Sequence, residues 1–461
     1  MTSSVSTFLD DTITAIATAP GRAGIAVIRI SGPDSWRIGR QITHIQENAE
    51  IAAGTFRYVR FYMPGETAAV DDGVILFFAA PHSYTGEDVV ELQCHGGRIQ
   101  ARKILEAATA AGARIAEPGE FTKRAFLNGK IDLAKAEAVM DLIEARTERA
   151  AIAARAQMDG RLSDSVNGLF DELVDVHSSV EHLLDFDEDE IPASFCARAA
   201  ERLAEIGARL ETLVSNWHTG KLLREGALTV ISGSPNAGKS SLMNALLGHA
   251  RAIVSDIPGT TRDSIEESFD VDGIPVRLVD TAGLRRATSD KIEAEGIARS
   301  ESLIRDADLH LRVVDATVRV PPEEVAAIAS LPPERTIVVL NKTDLPHGEN
   351  PFADDRFTVC EISAATGANL EGLKRLMAER LEAGNVANAS APEISERHRN
   401  EMATAHAAVA DACSCLSQEG EGLVLAAERL AVAEEALGRI TGRIWSEELL
   451  DAVFSKFCVG K

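Results

Sequence analysis

Residues 233–240 read Gly-Ser-Pro-Asn-Ala-Gly-Lys-Ser and match the GxxxxGK[ST] pattern of a phosphate-binding loop. The apolar run Leu228–Ile231 before them predicts a strand, and Ser241–Leu247 after them predicts a helix. In that context, backbone N–H groups of the loop and of the helix N-terminus surround phosphates, and Lys239 supplies a positive charge at the β and γ oxygens. Ser240 offers the hydroxyl oxygen that Mg²⁺ prefers. The stretch predicts a nucleotide-binding α/β module.

Strand-like runs alternate with amphipathic helical stretches on both sides of this loop, which predicts a parallel, doubly wound sheet. The predicted strands are Leu228–Ile231, Val276–Val279, Leu309–Val314, Thr336–Leu340 and Phe357–Ile362. Polar motifs follow three of these strands: Asp280-Thr-Ala-Gly283, Asn341-Lys-Thr-Asp344 and Ser363-Ala364. Because such sheets bind ligands at the carboxyl ends of their strands, we expect the motifs to form one site.

The motif Asn341-Lys-Thr-Asp344 predicts which base is bound. Asp344 can accept hydrogen bonds from both N1–H and the exocyclic amine of guanine, whereas adenine offers no such pair of donors. Asp280 can hold the Mg²⁺ shell, and the Gly283 N–H can donate to a γ-phosphate. The motifs together predict a GTPase. The predicted GTP-binding residues are Asn236, Ala237, Gly238, Lys239, Ser240, Ser241, Ser255, Asp256, Ile257, Pro258, Gly259, Thr260, Thr261, Asp280, Thr281, Ala282, Gly283, Asn341, Lys342, Thr343, Asp344, Ser363 and Ala364.

The predicted module departs from Ras-like GTPases at Leu284, where those proteins have the Gln that orients the attacking water. Ser240 and Thr261 are the expected Mg²⁺ hydroxyls. Asn236 and the backbone of residues 255–260 can hold a monovalent cation where an arginine finger would otherwise lie. Spacing alone favours a turn-stabilising role for Asn236, and Arg262, Arg285 and Arg286 are the candidate arginine fingers.

The rest of the chain has two other patterns of apolar residues, one typical of mixed strands and helices and one typical of helices alone. Up to about residue 125, short β-branched runs and the helical stretch Arg98–Ala111 predict an α+β domain, with strands at Ile13–Ala17, Ile25–Ile30, Val74–Phe78 and Val89–Gln93. From Lys130 to about Leu223 the apolar spacing is helical, with one seam at Leu162, Val166, Leu169, Leu173, Val176, Val180 and Leu183. Helical spacing of apolar residues returns after a polar linker at 384–392. The α/β module is therefore predicted to be inserted into a helical domain.

Composition limits the possible partners. The 461 residues carry 47 Lys and Arg against 71 Asp and Glu, a net charge of −24, which argues against a free-standing basic DNA or RNA binder. The 6 cysteines form no CxxC pair, so they indicate neither a disulfide framework nor a cysteine zinc site. The first residues resemble no signal peptide, and no apolar run reaches the roughly 18 residues of a membrane span. We expect a cytoplasmic protein without a membrane or DNA partner.

Six stretches outside the α/β module, together with its motifs, resemble the MnmE (TrmE) family of tRNA modification GTPases over nearly the whole chain. They are Ile25-Ala-Val-Ile-Arg-Ile-Ser-Gly32, Tyr84-Thr-Gly-Glu-Asp88, Glu91-Leu-Gln-Cys-His-Gly-Gly97, Pro118-Gly-Glu-Phe-Thr-Lys-Arg-Ala-Phe-Leu-Asn128, Leu222-Leu-Arg-Glu-Gly226 and Phe457-Cys-Val-Gly-Lys461. The resemblance implies a folate-binding, dimer-forming N-terminal α+β domain at 1–127, a helical domain at 128–222 and 385–461, and a Ras-like P-loop GTPase domain at 223–384.

The resemblance also implies an activity: GTP-dependent modification of C5 of the wobble uridine in certain tRNAs, by a homodimer acting with the flavin-dependent MnmG (GidA). A tetrahydrofolate derivative is the implied one-carbon donor, and Mg²⁺ and K⁺ are the implied ions. The family's catalytic glutamate falls on Glu293. Its folate residues fall on Arg29, Glu91, Lys130 and Lys461, its K⁺ positions on Asn236, Ser255, Ile257 and Thr260, and its Mg²⁺ hydroxyls on Ser240 and Thr261.

Two other functions compete with this interpretation. A regulatory switch GTPase would sense a folate-like metabolite without chemistry on RNA. A scaffold with an inactive nucleotide site is disfavoured, because Lys239, Ser240, Thr261 and Asp280 are all present. The thiol of Cys458 is a candidate nucleophile toward uridine, but a buried small residue is the favoured interpretation of it.

Overall fold

The computed structural model describes residues 10–46, 48–184, 193–249, 267–280, 303–346, 348, 351–352, 356–382, 392–416 and 422–461. Its contacts divide the chain into two compact units. The first unit contains residues 1–140 and 438–461, and the second contains residues 141–437. The finer division into four segments expected from the sequence, 1–127, 128–222, 223–384 and 385–461, stays a prediction.

The first unit is built on a six-stranded sheet of order β3-β4-β5-β2-β1-β6, antiparallel except for the β1–β6 pair. In β2, Ala26, Ile28 and Ile30 alternate onto one buried face, which helices α1 (Ser35–Thr43) and α2 (Arg98–Ala110) cover. The strands are Ile13–Ile16 (β1), Ile25–Ser31 (β2), Thr55–Tyr62 (β3), Ala69–Phe78 (β4), Val89–His95 (β5) and Arg114–Ile115 (β6). The expected α+β class is confirmed, although β3 and β6 were not predicted.

The end of the chain packs against the first strand of this sheet. Val459 forms a bridge with Pro118, and Gly460 has a φ of 99°. A Cβ at position 460 would lie 2.5 Å from the carbonyl oxygen of Ile16, so this close approach requires glycine. Three further helices begin in or belong to this unit: Glu120–Leu127 (α3), Leu133–Glu144 (α4) and Glu447–Phe454 (α14).

The helical part of the second unit confirms the predicted seam. Leu162, Val166, Leu169, Leu173, Val176 and Val180 are all buried in the 23-residue helix α6, and the last predicted position, Leu183, is half-buried at its end. The helices are Glu148–Met158 (α5), Arg161–Leu183 (α6), Ala193–Ser215 (α7), Trp217–Glu225 (α8), Glu396–Cys415 (α12) and Gly422–Thr441 (α13). Helix α12 packs along α7.

The sheet of the second unit has the order β12-β11-β10-β7-β9-β8. Apolar side chains are buried on both of its faces, which confirms the doubly wound arrangement. Its strands are Ala227–Gly233 (β7), Glu267–Val271 (β8), Ile274–Asp280 (β9), Leu309–Asp315 (β10), Thr336–Asn341 (β11) and Thr358–Glu361 (β12). All pairs are parallel except β8–β9, an antiparallel hairpin that the sequence interpretation missed. Helices Lys239–His249 (α9), Pro322–Ala329 (α10) and Leu370–Glu382 (α11) flank the sheet.

Within the described part of the chain, no helix is both long enough and apolar enough to cross a bilayer.

Candidate functional site: a nucleotide loop and a charged pocket

The phosphate-binding loop lies between β7 and α9, as predicted. Asn236 and Gly238 have positive φ values of 66° and 95°, which curl the loop. A Cβ at position 238 would lie 2.1 Å from Nδ2 of Asn341, so only glycine fits there. The side chain of Lys239 is buried, and its Nζ donates to the carbonyl oxygens of Gly233 (2.9 Å) and Ser234 (2.8 Å). The ammonium is thereby held inside the loop.

Asn341 joins the phosphate loop to the base loops. It ends β11 and is almost fully buried. Its Nδ2 donates to the carbonyl oxygen of Ala237 (2.9 Å), and its Oδ1 accepts from the backbone N–H of Ala364 (2.9 Å). Sequence reasoning treated Asn341 only as part of a base-binding motif and missed this bridging role. No local signal reveals it, because the bridged residues are far away in the chain.

The two base loops are positioned by short contacts of their own. Lys342 has a positive φ of 70°, and its Nζ pairs with Oδ2 of Asp315 at 2.5 Å. The backbone N–H of Thr343 donates to the carbonyl oxygen of Ile362 (3.2 Å). Ser363 is fully buried, and its Oγ accepts from the Thr366 N–H (3.2 Å). Asp344 is exposed beside these contacts, where an incoming base can reach its carboxylate.

Several predicted residues fall outside the described part of the chain. Asp280 ends β9, but its side chain is outside the description. The three possible arginine fingers, the predicted catalytic Glu293 and most of the predicted ion ligands belong to this group, so their roles stay predictions. The predicted site residues outside the described ranges are Ser255, Asp256, Ile257, Pro258, Gly259, Thr260, Thr261, Thr281, Ala282, Gly283 and Glu293.

A second group of predicted residues meets in the first unit. Arg29 of β2 and Glu91 of β5 are direct partners in the antiparallel register. The Arg29 Nε donates to Oε1 of Glu91 (2.9 Å), and Nη2 is also 2.9 Å from that oxygen. The guanidinium lies over the rings of Tyr84 (5.4 Å) and Phe121 (5.7 Å). Nη1 of Arg29 is buried and has no hydrogen-bond partner among the described residues.

The final residue, Lys461, reaches the same place. Burial and the nearby Arg29 cation lower the pKa of the Lys461 ammonium, and the Glu91 carboxylate opposes them. Lys130 lies on the neighbouring loop, where its Nζ donates to the carbonyl oxygen of Pro81 (3.0 Å). The structure therefore brings Arg29, Glu91 and Lys461 together. Two cations beside one carboxylate, with a free buried N–H, favour an anionic ligand that also has donors.

The exposure of Cys458 contradicts one prediction from the sequence. The favoured sequence interpretation was a buried small residue, but Cys458 is exposed. It lies in the terminal segment whose next residues, Val459 and Gly460, contact the first unit. The segment is held through its backbone and through Phe457, which is buried, so the Cys458 side chain is left outside.

Comparisons with known proteins agree with this geometry. Residues 133–458 match the family described as "MnmE helical domain", and residues 12–130 match "GTP-binding protein TrmE N-terminus". The curated "tRNA modification GTPase MnmE" of Burkholderia orbicola is 43% identical over 98% of this chain and 99% of its own length. The protein of the same name from Alkaliphilus oremlandii is 39% identical over 98% of this chain and 100% of its own length.

A solved structure, the G domain of the T. maritima FeoB iron transporter, is 30% identical over 33% of this chain and 98% of its own, with a TM-score of 0.26. The family matches cover both the N-terminal sheet and the helical framework, and the curated relatives span nearly the full chain. This chain belongs to the MnmE family of tRNA modification GTPases.

Proposed function

We propose that this chain hydrolyses GTP and couples hydrolysis to modification at C5 of the wobble uridine of certain tRNAs. The observation that supports this best is the position of Asn341. Its side chain bonds the phosphate loop at Ala237 and the base loop at Ala364, so one buried residue connects the two halves of a guanine-nucleotide site. The full-length similarity to curated tRNA modification GTPases supports the coupling to tRNA.

Arg29, Glu91 and Lys461 form the charged pocket of the first unit. This pocket suits a tetrahydrofolate derivative, which would supply the one-carbon unit when bound. Arg29 and Lys461 would hold the carboxylates of its glutamate tail, since charge-assisted hydrogen bonds to carboxylates are strong. Glu91 would accept from the amine and ring N–H donors of the pterin. The buried, unpartnered Nη1 of Arg29 fits this assignment, because it needs an acceptor that the described residues do not supply. Lys130, on the neighbouring loop, would bind the same ligand at the edge of the pocket.

Hydrolysis would depend on groups that neutralise charge and orient water. Lys239 and the loop N–H groups would hold the β and γ phosphates, with Ser240 and Thr261 on Mg²⁺. Asn236, Ser255, Ile257 and Thr260 would hold K⁺, and Glu293 would position the attacking water. The net charge of −24 leads us to expect that a homodimer of this chain relies on the flavin-dependent MnmG for much of its grip on tRNA.

Wobble-nucleoside analysis tests the proposed function. Transfer RNA from a strain lacking this chain should lose the C5-modified wobble uridine, and the wild-type chain should restore it. The Lys239→Ala variant should not restore it, because the phosphate-binding ammonium is gone. Unchanged wobble nucleosides in the deletion strain would instead support the regulatory switch that senses a folate-like metabolite.

Lys461→Ala is expected to weaken folate binding by about 10- to 100-fold, the range for losing one charge-assisted hydrogen bond. Titration calorimetry of the full chain with 5-formyltetrahydrofolate measures this change. GTP hydrolysis in the second unit should not change. Lys456→Ala is the matched control, because Lys456 lies near the same chain end but is exposed. Equal folate affinity in the wild type and Lys461→Ala would show that Lys461 does not bind the folate.

Hydrolysis is expected to be faster in K⁺ than in Na⁺ at matched ionic strength, because the ion would supply the positive charge that an arginine finger supplies in other GTPases. Asn236→Gly should abolish this stimulation. Glycine accepts the φ of 66° at this position, so the variant removes the side-chain amide without straining the loop. Steady-state phosphate release provides the measurement. Indifference to the monovalent ion would favour an arginine finger from Arg262, Arg285 or Arg286.

A further inference from the structure

Three potential metal ligands meet at one end of the β4–β5 ladder in the first unit. Asp71 and Asp72 lie on β4, and His95 is the last residue of β5. One ligand atom from each of the three residues lies within 4.8 Å of the other two. The Asp71 side chain is only 9% exposed, whereas that of His95 is 68% exposed. The group therefore has a buried anchor and an open side.

The strand that carries both aspartates is irregular just before them. Asp71 and Asp72 themselves pair in regular register with Phe61 and Arg60, so they leave the strand on opposite faces and their carboxylates approach His95 from different sides. Here the register shifts at Phe61/Tyr62: Asp71 pairs with Phe61 and Ala69 with Tyr62, which leaves Val70 as the extra residue of a bulge. The following Gly73 is also required, because a Cβ there would lie 1.9 Å from the carbonyl oxygen of Gln93.

Hydrogen bonds hold the candidate ligands in place. Oδ2 of Asp71 accepts from the backbone N–H of His95 (3.0 Å), and its Oδ1 lies 2.7 Å from Nδ1 of the His95 ring. The Tyr58 hydroxyl contacts Oδ2 of Asp72. The His95 backbone N–H and the Tyr58 hydroxyl are not ligands themselves, and contacts from such groups orient the carboxylates of metal sites.

From this arrangement we propose that Asp71, Asp72 and His95 form a site for a divalent transition-metal ion, with Zn²⁺ as the best match. Two carboxylates and one imidazole are ligands that Zn²⁺ accepts at about 2.0–2.2 Å, with water in the fourth tetrahedral position. At those bond lengths neighbouring ligand atoms are about 3.3 Å apart. An ion would draw the three ligand atoms in from their present spread of up to 4.8 Å and would replace the 2.7 Å contact between Oδ1 of Asp71 and Nδ1 of His95.

The site does not overlap the charged pocket. His95 and Glu91 are both on β5, four residues apart, which corresponds to about 13 Å along a strand. Arg29 pairs with Glu91 in the register, whereas His95 pairs with Ile25 at the other end of β2. A bound ion would therefore join β4 to β5 beyond the proposed folate residues and stabilise this end of the sheet.

Zinc titration of the metal-stripped full chain tests the proposal. The experiment uses the Cys458→Ser background, because an exposed thiol can bind zinc by itself. Isothermal calorimetry with ZnCl₂ in the absence of nucleotide should give one site per chain. His95→Ala and Asp72→Asn should each weaken it at least about tenfold, since each removes one of three protein ligands. His82→Ala is the matched control, because His82 is an exposed histidine of the same unit.

Further measurements distinguish metal binding at this site from a loss of folding in the variants and from adventitious binding elsewhere. Co²⁺ bound at the same site should give the visible absorption of a tetrahedral ion with nitrogen and oxygen ligands, and Zn²⁺ should displace it. The exposed ring of His95 makes His95→Ala structurally mild, and circular dichroism checks this directly. No saturable Zn²⁺ binding below about 0.1 mM would overturn the site. So would an affinity that His82→Ala lowers as much as His95→Ala does.

Discussion

Asp344→Asn is expected to change the preferred nucleotide from GTP to xanthosine triphosphate. The substitution turns one acceptor oxygen into an N–H₂ donor that faces the donors of guanine, whereas xanthine presents an acceptor there. A site built around one hydrogen-bonding pattern rejects the wrong pattern strongly, so GTP affinity should fall about 10³- to 10⁴-fold. Asp344 is exposed, and its loop is held by the backbone bond from Thr343 to Ile362, so folding should be unaffected.

Fluorescence titration with both triphosphates measures this switch in the full chain. Glu361→Gln is the matched control, since it makes the same acid-to-amide change at an exposed position of the same sheet. It should leave both affinities at the wild-type values. A chain that binds GTP and ATP equally well before any substitution would contradict the guanine assignment itself.

Arg124→Met is expected to destabilise the first unit by about 3–5 kcal/mol. The Arg124 side chain is only 2% exposed and lies among three carboxylates. It pairs with Oδ1 of Asp11 (2.5 Å), Oε1 of Glu87 (3.2 Å) and Oε1 of Glu120 (3.1 Å). Removing one partner from a buried ionic cluster costs about that much, because Glu87 loses this cation in a low-dielectric interior while Asp11 and Glu120 keep only their pairs with Arg114. Methionine preserves much of the side-chain length, so the lost charge dominates.

Hydrogen exchange of the β1 and β2 amides against urea reports on this unit without assuming that the whole chain unfolds in one step. Arg155→Met is the control, because Arg155 forms an exposed i,i+4 pair with Asp159 and should change stability by less than about 1 kcal/mol. Equal protection in Arg124→Met and Arg155→Met would show that the cluster contributes nothing.

The cluster also fixes how stability responds to acid. Burial would raise the pKa of the Glu120 and Asp11 carboxyls, but hydrogen bonds and charges from Arg114 and Arg124 lower both below their ordinary values. A lowered pKa in the folded state means that the stabilisation is complete above the ordinary pKa and is lost as pH falls through the folded value. The difference between the wild type and Arg124→Met should therefore shrink on acidification below about pH 4.

The amino-acid sequence was enough to locate the phosphate loop and most of the strands of the second sheet. Glycines that must adopt positive φ, a lysine after them and polar motifs at the ends of apolar runs are local features, so the phosphate loop and its strands could be predicted. Strand β8 was missed because, among its described side chains, Phe269 and Val271 are the two buried ones, and this alternation is too short to recognise. The edge strand β3 was missed because exposed residues such as Phe56 and Tyr58 obscure its period.

The contacts that bring distant residues of the charged pocket together are visible in the tertiary structure and in no local pattern of the sequence. The antiparallel register sets Arg29 opposite Glu91, and the packing of Gly460 on Ile16 brings Lys461 beside them from the other end of the chain. Arg124 is the buried centre of an ionic cluster, which nothing in the local sequence around it indicates. Local propensity acts over a few residues, whereas register, burial and charge pairing depend on which surfaces exclude water together. Because the contacts of the charged pocket depend on the whole fold in this way, no single motif could predict them.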